Sequence, residues 1–432
     1  MARGSGGATT TMKERIASIG PEGLARRAGW AGAVEVMQLI SSLLVFFVLA
    51  SLMTKDDYGR MTAVLGMAMV ASGLAGFGSH VLLIKRVSQG EPLSQAWPRA
   101  TSVGIIGPAV GALVLIGLQP FLLSNVDRLP YILLVLAQVN FFWLSELAVF
   151  VGNGTRRLKE AAQIRFMILC CRLLALGWFA LWGGGELVRW AAASMISFAV
   201  SAVLAVGYIW LVFGVRPSLL QGRMVDVREG TPYSINAVSE SLVDVSDRPL
   251  LAHYGHLADA GVYGLGGRIA QLGYLPLRII MRASDADLFH AGKRGTAPAF
   301  AVARSLLGPS VALSVGVGVA MVVLAPVVPL MIGDKWIAAV DAIRLLAALP
   351  LVRGVQWLLG NTLSASAHQM WRVGATWSAA ALNLSLNLIL LPTGTWRTAV
   401  FTTMVSEVYL TAALGAFILY WVRRESTDAR GQ

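Results

Sequence analysis

Charge is scarce along these 432 residues. Asp, Glu, Lys and Arg make up 13% of the chain, about half the share of a soluble domain. A surface facing water cannot be built from so few charges, so most of the outside must face lipid. Cysteine is scarcer still: Cys170 and Cys171 are adjacent inside an apolar run. They form neither a CxxC pair nor a disulfide framework, which leaves packing as their role. No GxxxxGK[ST] segment is present, so nucleotide hydrolysis by this chain is excluded, and no cofactor or metal set is expected. Interruptions between apolar runs are short, and none is long enough for a soluble domain. Membrane enzymes such as glycan polymerases or ligases usually carry their chemistry on a sizeable outer loop; the loops here are about ten residues or shorter on that side.

What is present is hydrocarbon-like sequence. Hydrophobic residues make up 56%, and mean hydropathy is +0.67. A spanning helix needs roughly 20 mainly apolar residues. Twelve such stretches are predicted, over 30–52, 61–84, 101–123, 129–151, 162–182, 187–213, 231–254, 260–282, 305–332, 336–363, 371–391 and 397–422. The fold class is therefore an all-α polytopic membrane protein of about twelve helices. The first apolar run is longer than a signal-peptide core of roughly 7–15 residues, so it reads as a retained span.

The net charge of +12 by itself suggests nucleic acid, but that reading loses because the basic residues sit in short pieces between apolar runs. About 23 of the 35 Lys and Arg lie on the side of the N-terminus and about six on the other. That asymmetry places both termini in the cytoplasm of an inner-membrane protein. The longest break on the basic side, 214–230, splits the spans six and six. The expected units are a cytosolic segment 1–29, a six-helix lobe 30–213, a linker 214–230, a second lobe 231–422 and a tail 423–432. Weak self-similarity agrees. Asp57-Tyr58-Gly59 follows the first span, and Val262-Tyr263-Gly264 lies 205 residues further on, after the seventh. Six-helix parallel repeats are a common transporter plan.

Charges inside the spans carry the functional signal. Arg172, Arg248, Arg268, Arg278, Arg344 and Arg353 all fall within predicted helices. A mid-helix Arg costs roughly 2.5–3.5 kcal/mol on insertion scales. Six facing lipid would cost on the order of 15–20 kcal/mol, more than a typical folding stability. They must snorkel, pair or line a wet cavity. At 1.5 Å per residue, Arg172 lies about 15 Å and Arg268 about 12 Å inside their spans, so the ranking for substrate contact is Arg268, Arg172, Arg353, then Arg248. The seventh span carries Asn236, Glu240, Asp244, Asp247 and Arg248 on one face. Those carboxylates suit coupling to H+ or Na+ or neutralise the arginines. Glu35, with Gln38, Ser41 and Ser42, makes a weaker polar face on the first span. Glu146 and Glu407 read as interior polar contacts. Pro249 and Pro276 allow the seventh and eighth spans to bend.

Several short stretches resemble one family. Leu52-Met53-Thr54-Lys55-Asp56-Asp57-Tyr58-Gly59 is similar to the opening of the polysaccharide-biosynthesis flippases, the Wzx-type branch of the multidrug/oligosaccharidyl-lipid/polysaccharide exporter superfamily. So is Gly76-Phe77-Gly78 leading to Lys85-Arg86. Asp247-Arg248 followed by Gly261-Val262-Tyr263-Gly264 and Arg268 resembles that family's signature across the seventh and eighth helices. Asn383-Leu384-Ser385-Leu386-Asn387 ending at Pro392 resembles its eleventh. The resemblance implies two six-helix lobes in a V around a cationic cavity, with Arg268 as the central arginine. It implies a polyprenyl-pyrophosphate-linked oligosaccharide as substrate, membrane lipids around it, and glycan polymerase or glycosyltransferase partners. Related lipid II flippases carry a cavity arginine in the first helix; Glu35 stands in this one, which argues against lipid II itself. The alternative is an ion-coupled multidrug exporter of the same superfamily, working through Glu35, Asp244 and Asp247.

Overall fold

A computed structural model describes residue 37 and residues 41–430. The segment 1–29, most of the first span's start, and Glu35 and Gln38 lie outside the described residues. The described chain is helical: α1 Ser41–Leu52, α2 Lys55–Ala75, α3 Ser79–Ser88, α4 Leu93–Leu122, α5 Arg128–Gly154, α6 Leu158–Trp182 and α7 Leu187–Phe213. After a break come α8 Met224–Val245, α9 Asp247–His253, α10 Leu257–Gly273, α11 Leu275–Gly292, α12 Thr296–Leu324 and α13 Val327–Ile332. The chain ends in α14 Ile337–Leu346, α15 Leu349–Ala365, α16 Gln369–Leu390 and α17 Trp396–Arg430. Over the described residues, each apolar stretch read from the sequence coincides with a helix or a broken pair, the first of them from Ser41 onward. Among the described residues, seven helices are each long and apolar enough to cross a bilayer.

The broken spans have local causes. α2 starts on Thr54, whose Oγ1 accepts the Asp57 N–H at 3.1 Å, with Asp56 and Asp57 favoured by the helix dipole. It ends where Phe77 and Gly78 take positive φ, and the pair α2–α3 bends by 42°. Proline sits in the first turn after each of three further breaks: Pro249 in α9, Pro276 in α11 and Pro350 in α15. There the missing N–H costs nothing.

Packing is different at the two ends of the bundle. At the end holding Met53, Tyr58, Leu123, Phe179 and Trp336, one continuous core joins helices from both halves. At the end holding the 214–223 segment, the core divides. One cluster, with Trp97, Leu147 and Ile164, belongs to the first half, and another, with Leu363, Ala379 and Leu414, belongs to the second. We refer to these as the far end and the linker end. At the far end the halves are locked by backbone proximity. A Cβ on Gly59 would lie 1.9 Å from the Leu257 carbonyl oxygen, and one on Gly261 would lie 2.7 Å from that of Lys55. Trp336 Nε1 donates to Ala50 O at 2.7 Å, and Lys335 Nζ donates to Ser51 O and Met53 O. At the linker end the halves meet along the α3–α8 seam, where Arg86 bridges to Asp226 and Glu229. Burial lowers and those two carboxylates raise the Arg86 pKa, and the carboxylates win.

Candidate functional site

Within the first half, below the far-end core, lies a cavity of about 330 Å³ walled by α1, α2, α5, α6 and α7, into which α10 of the second half brings Arg268. Among the described residues its charged lining is Arg165, Arg172 and Arg268, with Tyr58 and Gln138 as polar neighbours. α5 widens into a π-helical stretch over Leu136–Phe142, a distortion often found at functional sites, and Gln138 lies within it.

The three arginines are not equivalent. Arg165 is held by both oxygens of Glu146, so its charge is spent. Arg172 lays its guanidinium over the Phe198 ring, 5.4 Å from the centroid, and Arg268 reaches only Gln271 Oε1, at 3.4 Å. Among the described residues neither Arg172 nor Arg268 has an ion pair. The two lie within electrostatic range of each other across the cavity. These are two half-buried cations that repel each other and, among the described residues, have no carboxylate in contact. Arg248 is nearly fully buried and packs on α10 beside them, where a Cβ on Gly267 would come within 3.0 Å of its Nη2. It too has no ion pair among the described residues, and its Nε has no hydrogen-bond partner.

Arg353 stands apart. On α15 it is paired with Asp244 of α8 and Glu407 of α17, and Glu407 is fully buried and also accepts from Gln356 Nε2 at 2.7 Å. This arginine faces carboxylates in the second half and does not join Arg172 and Arg268. Glu240, one turn before Asp244, lies 3.7 Å from Arg372 and accepts from Asn236.

Asp247 sits at the break between α8 and α9, wholly buried. Tyr263 Oη and Thr403 Oγ1 approach its Oδ2 at 2.6 and 2.7 Å, and Asn387 Nδ2 donates to its Oδ1. Asn383 and Ser246 extend the network, with Ser246 Oγ donating to Asn383 Oδ1 at 3.0 Å. Thr402 Oγ1 donates to Asn387 Oδ1 at 2.6 Å. Sequence reading marked Asp247 but not Thr402, Thr403 or Ser246 around it. The i, i+4 pair Asn383 and Asn387 was the available signal, because two amides on one face of an apolar helix need a buried polar partner.

A polysaccharide biosynthesis protein family model matches residues 24–283. No curated protein sequence matches the chain. Solved structures of membrane transporters share the fold. A multidrug resistance MATE family transporter of the MOP superfamily, in its inward-facing conformation, superposes with a TM-score of 0.67 at 15% identity, over 89% of this chain and 96% of that one. An outward-facing conformation of such a transporter gives 0.56 at 15% identity, over 90% and 94%. The lipid II flippase MurJ, in an inward closed conformation, gives 0.66 at 11% identity, over 88% and 86%.

Proposed function

The chain belongs to the polysaccharide biosynthesis protein family of the MOP transporter superfamily, and from that premise we propose that it flips a polyprenyl-pyrophosphate-linked oligosaccharide across the inner membrane. The observation that carries this reading is the pair Arg172 and Arg268, two arginines facing one cavity without an ion pair among the described residues. Guanidinium is always charged and presents a fork matched to phosphate oxygens. Inside a narrow cavity that attraction exceeds its value in water. A pyrophosphate supplies the missing negative charge and the sugars occupy the wet space. The isoprenoid tail stays in lipid. The linker end is then cytoplasmic, as the basic residues of 214–230 and of the tail suggest, and the headgroup enters from that side while the far end is closed. The units divide as 30–213 and 231–422, rocking about the cavity.

Asp247, Asp244 and Glu240 serve the same cycle from the second half, as the seat of a coupling H+ or Na+; Glu35 is the remaining candidate for that role. Glycan polymerases and glycosyltransferases are the partners that such a substrate calls for. An exporter of cationic drugs is the competing function. It is disfavoured by the cavity's own charge, which would repel a cation at the position where it must bind.

Reconstituted liposomes decide between them. Purified protein should flip a fluorescent polyprenyl-pyrophosphate oligosaccharide, and the Arg172→Ala/Arg268→Ala variant should not, while inserting normally. Efflux of a cationic dye by wild type, with no flipping of the lipid-linked sugar, would overturn the assignment.

A further inference from the structure

A second, larger space lies on the opposite face of α2 from the arginine cavity. It has a volume of about 920 Å³ and is walled by α2 and α4 of the first half and by α8, α9 and α16 of the second. Its long walls are apolar, with Met67, Val70, Val238, Leu242, Leu384 and Leu388 among them. It runs from Arg223 at the linker end to His253 at the far end. The two ends differ chemically. His253 is engaged, with its Nδ1 2.9 Å from Leu122 O. The Arg223 side chain is exposed and has no ion pair among the described residues, because the nearby carboxylates of Asp226 and Glu229 are taken by Arg86.

The segment leading to Arg223 is fixed and shaped for a membrane surface. Thr101 and Ser102 of α4 hold the backbone of Ser218 and Leu219, with Ser102 Oγ donating to Leu219 O at 2.7 Å. Beyond that tether Leu220 is 94% exposed and Met224 is 80% exposed, interleaved with Arg216, Arg223 and Arg228. Exposed apolar side chains interleaved with arginines that have no ion pair among the described residues suit the boundary between acyl chains and anionic headgroups.

We infer that an anionic phospholipid of the leaflet at the linker end docks here, with its phosphate at Arg223 and one acyl chain in the groove between the halves. Charge complementarity selects the headgroup. The groove's length selects the chain: the thirty residues from Arg223 to His253 rise about 45 Å as helix, longer than the roughly 30 Å hydrocarbon core, so a chain from one leaflet fills only the part next to Arg223. The tail of a molecule whose headgroup sits at Arg172 and Arg268 does not reach this space, because α2 stands between the two. The inference therefore stands whatever the arginine cavity carries. Both halves wall the groove, so the docked chain acts as a wedge between them and ties their relative position to leaflet composition.

Delipidated full-length protein in detergent, titrated with phosphatidylglycerol or phosphatidylcholine of identical chains, tests this by native mass spectrometry. Wild type should retain one phosphatidylglycerol about tenfold more strongly than phosphatidylcholine. Arg223→Gln should lose that preference with an unchanged unfolding midpoint, and Arg397→Gln, at the far end, should keep it. Val238→Trp, which fills the groove, should weaken both lipids. Equal retention of the two lipids by wild type would overturn the inference, as would an undiminished preference in Arg223→Gln. Displacement of phosphatidylglycerol by an equimolar polyprenyl phosphate would overturn the choice of occupant, since the groove would then belong to an isoprenoid.

Discussion

Arg268 and Arg353 are both half-buried arginines inside predicted spans, yet their surroundings are opposite. Arg268 shares a cavity with a second arginine and has no ion pair among the described residues. Arg353 is gripped by two carboxylates from helices on either side, α8 and α17. On the function proposed above, the first arrangement waits for an anion. The second is complete without one, since two carboxylates face one guanidinium. Burial alone therefore does not separate the two arginines; what separates them is a carboxylate in contact, which Arg353 has and Arg268, among the described residues, does not. One region keeps its cations free at an energetic cost, while the other uses the same side chain to hold helices together.

The largest test of that contrast is functional. Truncating one partner of a buried charge-assisted contact costs about 2–5 kcal/mol, so Arg268→Ala alone should slow flipping roughly 30-fold or more. Adding Arg172→Ala should bring it to background. Arg268→Lys keeps the charge but not the fork, and should fall between. Unfolding midpoints of these variants should match or exceed wild type, since a repulsion is removed. A marked loss of stability in Arg268→Ala would show that this arginine is structural after all.

Arg353 should behave in the reverse sense. Arg353→Met leaves the buried Glu407 without a cation beside the part-exposed Asp244, a change expected to cost about 3–5 kcal/mol of stability. Replacing all three, as Arg353→Met with Asp244→Leu and Glu407→Met, should recover most of that loss, because a buried ionic cluster is often replaceable by apolar packing. Thermal unfolding in detergent reads both. A stable Arg353→Met protein with lost flipping would move this residue into the binding site.

Asp247 offers a finer distinction, since it is satisfied by hydroxyls and an amide rather than by an arginine. Tyr263→Phe removes one hydrogen bond to a charged group and should cost about 1.5–3 kcal/mol. Asp247→Asn keeps the size and much of the bonding but removes the charge. If this residue seats the coupling ion, flipping by Asp247→Asn should no longer respond to Na+ or to a pH gradient, while the fold persists. An unchanged ion response would assign the network to packing alone.

How much of this was written in the sequence follows from the range of each interaction. The spans were legible because crossing a bilayer demands a fixed apolar length, a local property. The breaks at Ser246 and Tyr274 were hinted at by Pro249 and Pro276, but hydropathy is blind to a helix that stops and restarts within lipid. The sharing of one cavity by Arg172 and Arg268 could be guessed from depth. The partners of Arg353 could not, because Asp244 and Glu407 lie 109 and 54 residues away and sequence does not say which helix faces cross. Glu407 read as a generic interior contact, and its role appears only once α15 and α17 are packed together.

Glu425 gives the smallest effect and the cleanest sign. Near the end of α17, beyond the predicted span, its carboxylate accepts the Thr296 N–H at 2.8 and 2.9 Å and the Ala297 N–H at 3.2 Å. It thereby caps the start of α12 with a charge that suits the helix dipole. Burial pushes its pKa up, but these N–H donors outweigh burial and hold the carboxyl below its ordinary range. A carboxyl depressed by folding binds protons less readily in the native state than in the unfolded chain. Its contribution is thus fully present above the unfolded value of about 4.3 and disappears as pH falls through the lower, folded value. Glu425→Ala should cost about 1 kcal/mol at neutral pH, the usual value of a lost helix cap, and progressively less on acidification. Unfolding midpoints of the two proteins should therefore converge toward acid pH. A gap that stays constant with pH would mean that Glu425 acts through shape and not through charge, leaving the arginines and carboxylates of the membrane interior as the chain's working electrostatics.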